Sequence, residues 1–148
     1  MKLVFTKGPR KYDRMEVHRD SGAVESIQCP KQRIIPHDMV HLVVESILVK
    51  RGFLSRVREG EPANMRMAPD QESDAVERLV EVFQGDAWSG SGTTHDQMVD
   101  LYRVTCDARH CPMLDLDENT IDEVRLQMAK LTSAWNGLKI GESLEFEL

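Results

Sequence analysis

Aromatic residues make up only 5% of this 148-residue chain, and there are three cysteines. An odd, sparse set of thiols (Cys29, Cys106, Cys111) excludes a disulfide framework and suits reduced cysteines. Scarce aromatics leave part of the core to eight methionines, which pack adaptably. They also remove the aromatic-interleaved basic stretches with which single-strand binders stack bases, which argues against nucleic acid as a partner. Long apolar runs are missing too. The longest, residues 39–49, is interrupted by His41, Glu45 and Ser46, far short of a membrane span. The opening "MKLVFTKGPRKY" lacks the apolar core and cleavage site of a signal peptide. These absences together predict a cytoplasmic protein that does not enter a membrane.

A hydrophobic content of 41% and a charged content of 30% are those of a globular chain, and the length fits a single domain over 1–148. The net charge of −6 is unevenly divided. Residues 1–67 hold 13 Lys/Arg against 8 Asp/Glu, a net of +5, and residues 68–148 carry a net of −11. Such a split suits either a basic face for an acidic partner or two halves that neutralise each other within one fold.

Alternation of apolar and polar residues predicts a strand over 2–7. Two further arms, 13–19 and 23–29, flank the turn Asp20-Ser21-Gly22, where Gly22 is free to take positive φ. Pro36 suits the first position of a helix running to about residue 51, with Gly52 as its stop. Residues 53–69 show no period and read as a long loop with one short strand at "NMRM". A second helix over 71–84 carries the stripe Ala75, Val76, Leu79, Val80 and Phe83. Thr94-x-x-Gln97 and Thr120-x-x-Glu123 read as capping boxes that start a third and a fourth helix. The third turns Met98, Leu101, Tyr102 and Thr105 inward, and the fourth closes at Asn136-Gly137. The tail "GESLEFEL" reads as a last strand that pairs with the N-terminal sheet. The expected fold is α+β: a small antiparallel sheet of N-terminal strand, hairpin and C-terminal strand on about four helices.

The most chemically suggestive run is His37-Asp38-Met39-Val40-His41, one methylene short of the H-E-x-x-H helix of zinc hydrolases. Two imidazoles at i and i+4 can share one zinc ion. On a helical wheel His37, His41 and Glu45 line the edge of an apolar face centred on Met39, Val43 and Ile47, which places them where the helix leaves the core. Glu45 lies about 12 Å along the axis from His37, at ~1.5 Å per residue, too far to complete a site easily. A third ligand must come from elsewhere, with Cys29, His18 and His110 as candidates. The plainer reading is that Asp38 caps the helix and that His41, between Asp38 and Glu45, is held as an imidazolium.

Other motifs carry less. Cys106, His110 and Cys111 gather near a helix end without a second C-x-x-C element. Asp115, Asp117 and Asn119 begin like a calcium loop, but Thr120 and Leu126 fall where Gly and Glu are needed. "GSGTTH" opens a helix but lacks the lysine of a phosphate-binding loop, and Ser91 and His95 show no nucleophile-elbow pattern.

The leading expectation is a non-catalytic binding or regulatory module for a protein partner or small ligand, without a cofactor. Its surface would combine His37, His41 and Glu45 with the basic residues Lys50, Arg51, Arg56 and Arg58. The alternative is a zinc protein, with metal-dependent hydrolysis as the activity that such a site could support. His37, His41 and Cys29 would then be ligands, and Asp38 or Glu45 the catalytic carboxylate. Nucleic-acid binding through the basic N-terminal half is a third reading.

Overall fold

The structure is a computed structural model that describes all residues 1–148. Four strands form one antiparallel sheet in the order β3-β2-β1-β4: β1 Lys2–Thr6, β2 Tyr12–His18, β3 Val24–Pro30 and β4 Ser143–Glu147. The hairpin between β2 and β3 closes through hydrogen bonds between Arg19 and both Gly22 and Ala23, with Gly22 at φ +90°. One face of the sheet is apolar. Leu3 and Phe5 of β1 are fully buried, opposite Val17 and Met15 of β2 on one side and Phe146 and Leu144 of β4 on the other. The rings of Phe5 and Phe146 meet edge-on at 5.9 Å, a preferred aromatic geometry. The α+β reading, with the C-terminal segment beside the N-terminal strand, describes this sheet.

Five helices share one hydrophobic core with that face: α1 His37–Leu48, α2 Phe53–Arg58, α3 Gln71–Trp88, α4 His95–Arg109 and α5 Glu118–Asn136. The central one is α1, which packs on α2, α3 and α5. Its residues Met39 through Glu45 are buried without a break. An amphipathic helix with a polar edge at the surface was expected; a helix covered on all sides is found, and His41 and Glu45 are inside.

The other differences have local causes. Helix α1 ends three residues early, with Val49 in the left-handed conformation. The chain must turn there because the Glu45 carboxylate binds Gly52 and the residues after it. Those residues form α2, where a loop was expected. At six residues α2 is too short to show a period, and no strand forms at "NMRM". Helix α3 runs four residues past its expected end. Asp86 and Trp88 extend it by bonding to other elements, Asp86 to Arg125 and the Trp88 indole Nε1 to the carbonyl of Gln32 at 2.7 Å. The box at Thr94 and Gln97 caps α4, whereas α5 is capped by Asp117, which accepts from the Thr120 amide. On α4 it is Met98, Tyr102 and Cys106 that face inward, and Leu101 is exposed. The Tyr102 hydroxyl donates to the Ala75 carbonyl and accepts from the Leu114 amide, joining α4 to α3. No helix is long and apolar enough to cross a membrane.

A two-point ion pair fixes α3 to α5. Arg125 donates to both oxygens of Asp86 at 2.9 Å, and the Asp86 side chain is almost wholly buried. Burial would raise its pKa, but Arg125 and Thr93 reverse this and hold it below the usual aspartate value. Arg125→Ala leaves that carboxylate buried without its cation and is expected to cost roughly 3 kcal/mol, measured by urea unfolding. A depressed carboxyl pKa stabilises the fold above the ordinary aspartate value, and the contribution is lost as pH falls through the folded pKa. The difference between wild type and variant should therefore be constant near neutrality and shrink below about pH 4.

Candidate functional site

Helix α1 sets two imidazoles one turn apart, and their rings meet edge-on with centroids 4.9 Å apart. Across from them stands Glu77 of α3, whose Oε1 lies 3.1 Å from His37 Nε2 and whose Oε2 lies 2.7 Å from His41 Nε2. One nitrogen of each ring and one Glu77 oxygen all lie within 4.8 Å of one another. The cluster is half open: the His37 and Glu77 side chains are about one third exposed, and that of His41 is 2% exposed.

The far side of each ring is also held. His37 Nδ1 lies 2.7 Å from Gln84 Oε1, and Gln84 in turn donates from Nε2 to Gln32 Oε1 at 2.6 Å. His41 Nδ1 lies 3.0 Å from Glu45 Oε2. Both Nδ1 atoms thus face acceptors, which fixes the ring orientations and turns both Nε2 atoms toward one place. The phenyl ring of Phe53 packs against His41 at 5.8 Å.

Glu45 does not join the cluster. Its Oε1 accepts from Gly52 N, Ser55 N and Ser55 Oγ, and its Oε2 from Leu54 N and His41 Nδ1. These donors include amides at the N-terminus of α2 that lack helical partners, so the carboxylate both starts α2 and backs His41. Burial would push the Glu45 carboxyl up, but His41 and Ser55 bring it below its usual value. Burial would likewise lower His41, yet Glu45 and Glu77 hold it at about 10, and Glu77 is driven well below the usual carboxylate range by the two rings. His41 is thus an imidazolium between two carboxylates when the three side chains are alone.

The other residues singled out from the sequence lie apart. Cys29 is buried, its thiol pushed up to about 12 by burial and by Asp38, to whose Oδ2 it donates at 3.8 Å. A thiol held protonated is a poor metal ligand. Burial raises the Asp38 carboxyl, and Asp38 makes no side-chain cap of α1. His18 sits on β2 beside Glu16, and His110 is the exposed left-handed residue that ends α4. Of the basic residues, Arg51 pairs with Glu59, Glu61 and Asp70, and Arg56 with Glu61. Lys50 and Arg58 remain exposed. The third donor, Glu77, was not among the candidates. Its only trace in the sequence is its position seven residues before Gln84, two polar residues at the same edge of the α3 stripe. No family model matches this chain, and no curated protein or solved structure matches it significantly.

Gly52 is where the site meets its scaffold. A Cβ there would lie 2.5 Å from Glu45 Cδ and 2.7 Å from Val76 Cγ1. Gly52→Ala therefore forces the Glu45 carboxylate off the α2 amides and is expected to destabilise the protein by about 3 kcal/mol, at the upper end for overpacking. Urea unfolding measures the loss, and a change below 0.5 kcal/mol, on the order of an ordinary surface substitution, would contradict this account of Glu45.

Proposed function

We propose that this protein binds a zinc ion through His37, His41 and Glu77. The observation that carries the reading is the convergence of two imidazole nitrogens and one carboxylate oxygen, from two helices, within 4.8 Å. Two nitrogens and one oxygen form a borderline donor set that suits zinc better than calcium or magnesium. A zinc ion would take the place of the protons through which Glu77 now meets the two Nε2 atoms, at 3.1 and 2.7 Å. The acceptors behind both rings, Gln84 and Glu45, match the outer partners that metal-bound histidines require. Three protein donors leave a fourth position for water or a ligand, as in catalytic zinc sites and unlike closed structural ones.

Neither carboxylate nominated by the sequence is free to act as a hydrolytic base. Of the two carboxylates weighed from the sequence, Glu45 is fully engaged by α2 and His41, and Asp38 is paired with Cys29. The second reading keeps the protein metal-free, as a binding module for a protein partner or small ligand. It is favoured by the complete pairing of His41, whose two nitrogens each face a carboxylate. In that case the cluster is a clamp between α1 and α3.

Protein purified without a polyhistidine tag should contain zinc near one equivalent by elemental analysis, or take it up to that level. At a hundredfold excess over Kd the ion stabilises the fold by about 2.7 kcal/mol, which raises Tm by roughly 5–10 °C. Glu77→Gln and His37→Gln, at partly exposed positions, should each abolish the rise. Metal-free protein that melts identically with zinc and with a chelator would leave the clamp as the reading.

A further inference from the structure

Beside the cluster lies a cleft of about 270 Å³, bounded by Glu77 and Ser73 on α3, Phe53 and Arg56 on α2, and Met65 and Met67 between the two helices. Glu77 is the residue that this cleft shares with the histidine cluster. Arg56 is only 6% exposed. Its Nε donates to Glu61 Oε1 at 3.0 Å and its Nη1 to Ser73 Oγ at 3.1 Å. Its Nη2 has no hydrogen bond within the protein. The one enclosed side-chain polar atom without a partner is Arg78 Nε, so Arg56 Nη2 is reachable from outside. A nearly buried guanidinium, locked on two sides and with one NH2 group unpaired, thus lines the cleft.

We propose that this cleft binds a small organic carboxylate, with the charged group on Arg56 Nη2 and an apolar body against Phe53, Met65 and Met67. The metal's place in this arrangement rests on the reading above; the contact with Arg56 does not require it. An arginine held in one orientation recognises a planar anion at little entropic cost. Arg66, which makes no ion pair, also borders the cleft, as does Asp74, which likewise has none. Glu61 already offsets the charge of Arg56, so the attraction expected here is the hydrogen bond to the unpaired NH2 group, with Arg66 as the nearby cation. Phe53, Met65 and Met67 give the cleft an apolar side that inorganic phosphate cannot use.

The test uses the full chain with 13C-labelled methionine methyls, with and without one equivalent of zinc, titrated with 3-phenylpropionate and in parallel with inorganic phosphate. Expected are saturable shifts at Met65 and Met67 with the carboxylate and none with phosphate, and an affinity about tenfold weaker in R56K. Silent methyls, an affinity unchanged in a folded R56K, or equal saturation by phosphate would overturn the proposal. If R56K does not fold, the wild-type map decides: shifts confined to Met65 and Met67 among the eight methionines uphold it, and shifts elsewhere refute it. Bound zinc with silent methyls removes this inference alone. Carboxylate binding by a protein that takes up no zinc removes the metal reading and leaves this one standing.

Discussion

One buried carboxylate organises this molecule. Glu45 lies inside, and a carboxylate taken out of water is tolerated only when opposite charge and hydrogen bonds replace the solvent. Five hydrogen bonds do so here. To supply them the chain ends α1 at a left-handed Val49, turns at a residue with no side chain, and begins α2 with its free amides aimed at the oxygens. The same carboxylate settles the orientation of His41. The local path of the backbone and the presentation of the second imidazole thus share one cause, and neither can change without the other.

The divided charge of the sequence has a partial explanation in this arrangement. Several cations of the first half are matched by acids of the second: Arg51 by Asp70, Lys2 by Glu145, and the His37–His41 pair by Glu77. Others are neutralised nearby, as Arg19 is by Glu25 and Arg56 by Glu61. The basic stretch after α1 is therefore in part an internal network and less a surface held ready for a partner. Arg56 is the member of that network with a donor to spare.

Much of the fold was legible because its signals are local. Alternation disclosed the strands, Gly22 the hairpin, and the stripe of α3 its inward face. The capping box at Thr94 worked as read, while at the next helix a better acceptor, Asp117, took over three residues before Thr120. What escaped depends on contacts distant in sequence. Helix α2 exists because Glu45 nucleates it from another element, and six residues carry no period of their own. The histidine pair could be read as a pair, but the third donor could not: Glu77 is one glutamate among many on a helix surface until tertiary packing brings α3 alongside α1. Burial of the pair was hidden for the same reason, since the helical wheel shows where an edge lies and not what covers it.

The pairing of β1 with β4 has a consequence for how the chain reaches this state. Leu3 and Phe146 are opposite neighbours, yet all five helices are made between them. Closing so long a segment is entropically slow, and contacts of this separation lower folding rates. During synthesis β1 emerges before β4, with one side of its backbone unmatched until β4 follows. In that interval the early strands present a row of free amides and carbonyls to any other extended chain; β4 covers that row and becomes the border of the sheet, where Glu145 and Glu147 oppose further pairing.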